Sequence, residues 1–160
     1  MKHTIIIIVS ILALPIATLA LSPSLYAKQS AEDKIKFRQS GYMFMRWNMG
    51  IIKNQVIKKP GTYNKHSVIA SANVIKSIAH SGIEKLFTPK TSTGIGWKET
   101  RVKQEFIVMP NQANKFVTQL KRDTSNLVSA AHTGDISKIK SEFKRVLKTC
   151  KGCHKEFRQK

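Results

Sequence analysis

Four stretches of this chain carry apolar residues at the spacing of an α-helix, and none alternates apolar and polar residues as a strand would. In the first, residues 32–56, the apolar positions are 7, 3, 4, 3 and 4 residues apart. They are Ile35, Tyr42, Met45, Met49, Ile52 and Val56. A helix with one apolar face must bury that face against other helices. The chain is therefore predicted to form an all-α, antiparallel four-helix bundle.

Proline, glycine and a capping residue mark the breaks between these stretches. Pro60 and the glycine after it end the first helix, and residues 88–98 are predicted to form a long loop. Asp135 is expected to cap the fourth helix. Pro110 leaves open whether residues 102–109 are a separate turn or the kinked beginning of the third helix. The helices after the first are predicted at 66–80, 116–131 and 135–157.

Residues 1–27 have the parts of a cleaved export signal. A positive start precedes an apolar run at 5–20, and Ala27 is the preferred cleavage point. An uncleaved membrane anchor is the alternative, but Pro15 interrupts the run before the roughly 20 apolar residues that a span needs. We therefore expect an exported, periplasmic protein whose folded domain covers residues 28–160.

The two cysteines of the chain stand in a Cys-x-x-Cys-His run near the end of the last predicted helix, from Cys150 to His154. Two thiols at this spacing can add across the vinyl groups of a haem, and the histidine that follows is placed to ligate the iron. On a helix, Cys150 and His154 lie one turn apart on the same face. The motif predicts one covalently bound haem c, held by Cys150 and Cys153, with His154 as the metal ligand.

Two other chemistries use a Cys-x-x-Cys pair. A structural zinc ion needs about four ligands, and His66, His80 and His132 could join the cysteines only through the fold. A redox dithiol lies at a helix N-terminus after a strand, where the helix dipole lowers the thiol pKa. Here the pair lies at the end of a predicted helix with no strand before it, so haem attachment is favoured over both.

The chain is strongly basic, with 28 Lys and Arg against 9 Asp and Glu and a formal charge of +19. Removal of residues 1–27 takes away Lys2 and no acidic residue, which leaves +18. This charge would attract an acidic redox protein or an anionic membrane surface. A solvated basic surface kept for solubility is the alternative. Nucleic acid is not an expected partner, because export would separate the chain from it and the aromatic residues do not interleave with a basic stripe.

The first predicted helix contains residues 38–50, which begin Arg-Gln-Ser-Gly-Tyr and resemble the first helix of cytochrome c-prime, the high-spin branch of the class II c-type cytochromes. Residues 71–82 resemble its second helix, residues 100–106 the stretch before its third, and residues 150–158 its haem-attachment helix. The resemblance implies a four-helix bundle with haem attached near the C-terminus of the last helix. It also implies a homodimer packed through the first two helices, where Phe37 and Phe44 are surplus apolar residues.

The resemblance assigns further candidate site residues. They are Arg38, Gln39, Tyr42, Arg101, Glu105 and Arg158. The first two would contact the haem and its propionates, and Tyr42 would cover the distal face. Arg158 would lie near the proximal side, and Arg101 and Glu105 would reach the haem edge. Each of the last three is equally well explained as an ordinary charged surface residue.

Tyr42 determines the expected coordination. In the low-spin relatives the position four residues after the arginine holds a methionine that ligates the iron, whereas here it holds Tyr42, and Met43 lies about 100° around the helix. We therefore expect a five-coordinate, high-spin haem that binds nitric oxide and carbon monoxide and can transfer single electrons. The alternative is a low-spin electron-transfer cytochrome with Met43 or Met45 as sixth ligand and an acidic redox partner. No acid–base or nucleophile–base set is evident, so an enzyme is not expected.

Overall fold

The computed structural model describes residues 29–160, so the predicted export signal lies outside the described residues. Within them the chain forms α1 (Ala31–Lys53), α2 (Lys65–His80), α3 (Glu105–Val108), α4 (Pro110–Thr133) and α5 (Ile136–Phe157). Across this part of the chain the only β-type pairing is two isolated bridges. The four long helices pack α1 on α2, α2 on α4 and α4 on α5. The predicted all-α four-helix bundle is confirmed.

The first helix changes its winding before it ends. After Lys53 it continues as a π-helical segment, Asn54–Lys58, in which the Lys59 N–H donates to the Asn54 carbonyl at 2.7 Å. The apolar pattern predicts a helix to residue 56, and the wider turn carries it two residues further. Val56 is still in the core, and Pro60 begins the turn that separates α1 from α2.

Side-chain caps set where three of the long helices begin. The Ser30 hydroxyl accepts from the Asp33 N–H at 3.0 Å, and the Asp33 carboxylate accepts in return from Ser30. Asn64 caps α2 through its side-chain oxygen. Asp135, the predicted cap of the last helix, accepts from two N–H groups of α5 at 2.9 and 3.1 Å. These bonds satisfy N–H groups that have no partner within their own helix.

Pro110 is the first residue of α4, and α3 is a separate single turn before it. Proline suits this position because the N–H that it lacks would have no partner there within the helix. The first of the two alternatives for residues 102–109 is therefore the observed one, and α4 begins earlier than the apolar pattern, which starts at Phe116, predicts.

The apolar side chains form two clusters. The larger is shared by α1, α2, α4 and α5 and includes Met45, Met49, Ile52 and Val56 of the predicted α1 face. The smaller consists of Val102, Phe106, Ala113 and Phe157. Cys150 packs against the larger cluster and Cys153 against the smaller one. The Cys-x-x-Cys pair therefore lies where the two clusters meet.

The end of the chain is fastened to the residues that precede α3. The Lys103 N–H donates to the Phe157 carbonyl and the Gln159 N–H to the Arg101 carbonyl, each at 2.8 Å. Val102 and Arg158 form an antiparallel bridge between these two bonds. We call residues 101–103 and 157–159 together the C-terminal clamp. It holds Phe157 buried, at 3% exposure.

The predicted loop at residues 88–98 lies directly on α1 and contains one short 3₁₀ turn, Pro89–Thr91. At Gly96 an added Cβ would stand 2.7 Å from Ile35 Cγ2 and 2.9 Å from the Lys36 nitrogen, so this approach needs glycine. No helix among residues 29–160 is long and apolar enough to cross a membrane.

Candidate haem site

The two cysteine thiols lie in α5, half-buried and free of any disulfide. Burial raises the pKa of Cys150, with a further contribution from the charge of Asp123. Burial, and then the neighbouring Cys150, raises the pKa of Cys153 to about 11. Both thiols are protonated at neutral pH, which is the reverse of the low pKa that a redox dithiol needs. This environment suits thiols that form a permanent bond to an apolar molecule, and it does not suit a pair that cycles between dithiol and disulfide.

His154 lies one turn after Cys150 and is exposed in this structure. Burial of part of the ring, and then the charge of Arg101, lowers the pKa of His154. The imidazole is therefore neutral at pH 7, the form in which a histidine nitrogen can ligate a metal.

Gly152, between the two cysteines, is the point at which α4 comes closest to the motif. A Cβ on Gly152 would lie 2.9 Å from Cε1 of Phe116. No side chain fits there unless the ring moves. This requirement was not predicted, because nothing in the local sequence shows that Phe116 faces this residue.

Tyr42 lies on α1 beside the smaller cluster: its ring centroid is 6.4 Å from that of Phe87, which packs against this cluster as Cys153 does. Burial raises the pKa of its hydroxyl, and the thiol of Cys153, the carboxylate of Glu84 and the thiol of Cys150 raise it further, while Arg38 lowers it. Tyr42 is also 36% exposed and lies outside both clusters, so it is not the packed core residue that the apolar pattern of α1 indicates.

A series of aromatic rings runs from Tyr42 in α1 to the rings that pack beside Cys153. The Phe87 centroid lies 6.4 Å from that of Tyr42 and 4.3 Å from that of Phe106. Phe157 follows at 5.3 Å from Phe106, with Phe116 at 5.9 Å from Phe157. We call these five residues the aromatic wall. It offers an apolar surface beside Cys153.

Arg38 is 3% exposed, and its guanidinium is held by protein groups. It donates to the Thr91 hydroxyl at 2.8 Å, the Thr91 carbonyl at 2.6 Å and the Thr100 hydroxyl at 2.6 Å, with a longer bond to Leu86. It also stacks on the Phe87 ring at 4.4 Å. Burial lowers the pKa of Arg38 to about 10, so it stays charged at neutral pH. These bonds use the two terminal nitrogens and leave the Nε–H as the donor that can face a ligand.

Gln39 fastens the same loop to α1. Its amide nitrogen donates to the Lys98 carbonyl at 2.8 Å, and its amide oxygen accepts from the Trp97 N–H at 2.8 Å. The Trp97 ring nitrogen donates to the Ser40 hydroxyl at 2.7 Å. Gln39 thus bonds to the loop backbone. It acts on the site by holding this loop in position on α1.

Arg101 and Arg158 lie with His154 in one surface cleft, together with Lys151 and Lys155. The C-terminal clamp brings the two arginines there from separate parts of the chain. Glu105 is exposed in α3 and is not among the residues that line this cleft. Arg101 and Arg158 are thus beside His154 in this cleft and Glu105 is not, while the expected contacts of all three with the haem stay predictions.

The described residues fit haem c. Two protonated thiols lie at the junction of two apolar clusters, a neutral imidazole follows them, and an aromatic wall and a phenol border the space beside them. Across residues 29–160 no three His, Cys, Asp or Glu side chains come together as a metal-binding group, so the zinc alternative finds no ligand set there.

Comparison with known proteins gives the family. The family model of Cytochrome C' matches residues 33–158. The chain belongs to the cytochrome c prime family. Haem c, covalently bound, is the cofactor of this family, and the two cysteines of this chain are consistent with that attachment.

Individual members of the cytochrome c prime family support the same assignment. Allochromatium vinosum cytochrome c prime is 37% identical, over 100% of both chains. A solved cytochrome c prime with ligand-controlled dimer dissociation is 40% identical, with a TM-score of 0.78, covering 84% of this chain and 100% of its own. Nitric oxide and carbon monoxide complexes of Alcaligenes xylosoxidans cytochrome c prime variants are 25% identical, with a TM-score of 0.72 and coverage of 82% and 98%.

Proposed function

We propose that this member of the cytochrome c prime family is exported to the periplasm and binds nitric oxide and carbon monoxide at a five-coordinate, high-spin haem. The main support is the match to the cytochrome c prime family over residues 33–158, with Tyr42 rather than a methionine four residues after Arg38. The gas complexes of the Alcaligenes xylosoxidans protein also agree with this function. Haem c, when bound, would supply an iron that binds a diatomic gas and gains or loses one electron.

Each role in this proposal belongs to a named side chain. Cys150 and Cys153 form the thioether bonds, and His154 provides its neutral imidazole to the iron. Tyr42 covers the opposite side and restricts access to it. Four of the five side chains of the aromatic wall are phenylalanines, which donate no hydrogen bonds, so the Tyr42 hydroxyl is the one donor that the wall offers. This scarcity of donors favours nitric oxide and carbon monoxide over dioxygen, a ligand that depends more strongly on them. Arg38 offers its Nε–H to a propionate while its terminal nitrogens hold the loop.

Absorption and electron paramagnetic resonance spectra of the purified protein test this function directly. We expect a high-spin ferric spectrum and a change in the ferrous spectrum when carbon monoxide is added. A low-spin, methionine-ligated spectrum that carbon monoxide leaves unchanged would overturn the proposal. The Cys153→Ser variant is the control for attachment, since it should lose the covalently held haem measured after extraction of free haem.

The alternative, a low-spin carrier, requires a methionine close to the iron. Met43 is 64% exposed on the surface of α1, and Met45 is 4% exposed within the larger cluster. Either side chain would have to leave its observed position and displace Tyr42. The geometry therefore favours the gas-binding function.

A second candidate function, electron exchange with an acidic redox protein, is favoured by the surface around His154. Exposed lysines form a row along α5 at spacings of 4, 4, 3 and 4 residues and end beside His154. They are Lys140, Lys144, Lys148, Lys151 and Lys155. An acidic protein surface complements this row and would bring its redox centre to the proximal side. Binding to anionic vesicles that depends on the same lysines would instead favour a membrane surface.

We also propose a homodimer formed through α1. Phe44 and Trp47 are 50% and 60% exposed and stack on each other with centroids 5.4 Å apart. Trp47 also lines a surface groove, together with Met43, Gly50 and Ile51. Adjacent apolar side chains exposed on one helix are typical of an interface between copies. A related cytochrome c prime undergoes ligand-controlled dimer dissociation, which agrees with this proposal.

A further inference from the structure

A buried carboxylate lies next to the haem-attachment segment. Asp123, in α4, is 2% exposed. Its Oδ1 accepts from the Gln119 side-chain amide at 2.7 Å, and its Oδ2 accepts from the Thr149 hydroxyl at 2.6 Å. Both oxygens therefore accept hydrogen bonds from neutral side chains.

This carboxylate has no cationic side chain paired with it. Both of its hydrogen-bond donors are neutral, and none of the ion pairs among residues 29–160 involves Asp123. The chain has 28 Lys and Arg, so the lack of a basic partner here does not come from a shortage of basic residues. A buried charge without an opposite charge is strongly unfavourable. A positively charged group bound close to Asp123 would therefore be stabilised there.

The field of Asp123 reaches the attachment site. Thr149, which donates to the carboxylate, immediately precedes Cys150 in α5. The charge of Asp123 adds to burial in raising the pKa of the Cys150 thiol. The carboxylate therefore acts on the atom that would be joined to the haem.

We propose that Asp123 is the counter-charge of the ferric haem and lowers its reduction potential. This rests on the proposed attachment of haem at Cys150 and Cys153. Reduction adds one electron to the iron and removes one unit of positive charge, so it weakens the attraction to Asp123. The carboxylate thus stabilises the ferric form relative to the ferrous form. Asp123 acts as a positioning and electrostatic residue that does not ligate the iron.

Potentiometric titration of the holoprotein with redox mediators tests the role. Asp123→Asn keeps the shape but removes the charge, and Asp123→Leu removes the charge together with the acceptors of Gln119 and Thr149. Both should raise the potential. A charge acting across about 10 Å at an effective dielectric constant of about 20 changes an equilibrium about tenfold. For a one-electron couple this corresponds to about 59 mV.

Two controls separate charge from structure. Glu32→Gln removes the same formal charge from an exposed residue and should leave the potential unchanged. Thr149→Val removes one hydrogen bond but keeps the carboxylate, so it should lower the melting temperature without the rise in potential. A rise in Thr149→Val equal to that in Asp123→Asn would overturn the proposal, as would an unchanged potential in both Asp123 variants. A wild-type protein with no haem couple would instead overturn the proposed function itself.

Discussion

Gly152 is the residue at which the haem-attachment segment meets the opposite helix. Gly152 lies between Cys150 and Cys153, and Phe116 fills the space where a side chain on residue 152 would stand. The motif Cys-x-x-Cys-His allows any residue at its two middle positions. The fold restricts one of them to glycine.

Gly152→Ala should lower the free energy of unfolding by about 1–3 kcal/mol, because the new methyl group overlaps the Phe116 ring. Denaturant unfolding of the holoprotein measures this change. The double variant Gly152→Ala with Phe116→Leu should recover part of the loss, since the smaller side chain vacates the overlapping position. Independent, additive losses in the double variant would show that the contact is not responsible.

Tyr42 controls access to the site in the proposed function. Tyr42→Ala removes the ring at this position, so carbon monoxide should associate with the ferrous protein about tenfold faster, equivalent to about 1.4 kcal/mol of barrier. Flash photolysis measures this rate. Tyr42→Phe keeps the ring and should change the rate little. Equal rates in wild type and Tyr42→Ala would mean that access is limited elsewhere.

At the scale of elements, α5 combines two functions on two faces. Its apolar face carries the cysteines and packs into both clusters, while its solvent face carries the lysine row. The row reaches His154, so charge and candidate metal ligand are close on the same helix. This arrangement makes the rate of electron exchange sensitive to local charge.

Reversal of Lys151 and Lys155 to Glu should slow the oxidation of the ferrous protein by ferricyanide about tenfold at low ionic strength, and salt should reduce the difference. Stopped-flow absorbance measures the rate. Replacement of Lys138 and Lys140 by Glu is the matched control. These residues are in the same helix, and Lys140 lies about 21 Å along the axis from His154. Equal slowing by both pairs would assign the effect to net charge and not to the end of the row.

At the scale of the whole molecule, the exposed apolar side chains of α1 determine the proposed assembly. Trp47→Asp places a charge in that surface and should convert a dimer to a monomer, as measured by analytical ultracentrifugation. Val108→Asp is the control, since Val108 is 61% exposed in α3 and lies outside the groove. A wild-type protein that is monomeric at all concentrations would contradict the dimer.

The sequence predicts the parts of this molecule that depend on local periodicity. The buried face of α1, the Asp135 cap and the long loop all follow from residues close together in the chain. The bonds from Arg38 to Thr91 and Thr100 and the contact of Asp123 with Thr149 join distant residues. Periodicity carries no information about such pairs, so these contacts could not be predicted from one sequence.

The resemblance in residues 38–50 places Arg38 and Tyr42 at the site but does not say what holds them. In the structure the Arg38 guanidinium is committed to the loop, a use that the expected propionate contact does not indicate. Glu105 matches the family's pattern but is not among the residues that line the cleft around His154. Which neighbours a side chain reaches depends on packing between distant segments, which the motif does not specify.

The C-terminal clamp has a consequence for the last turn of α5. It ties residues 157–159 to residues 101–103, which precede α3. Phe157 is thereby kept in the smaller cluster, against which Cys153 also packs. The turn that carries Cys153 and His154 is therefore anchored on one side by its own helix and on the other by a segment more than 40 residues earlier in the chain.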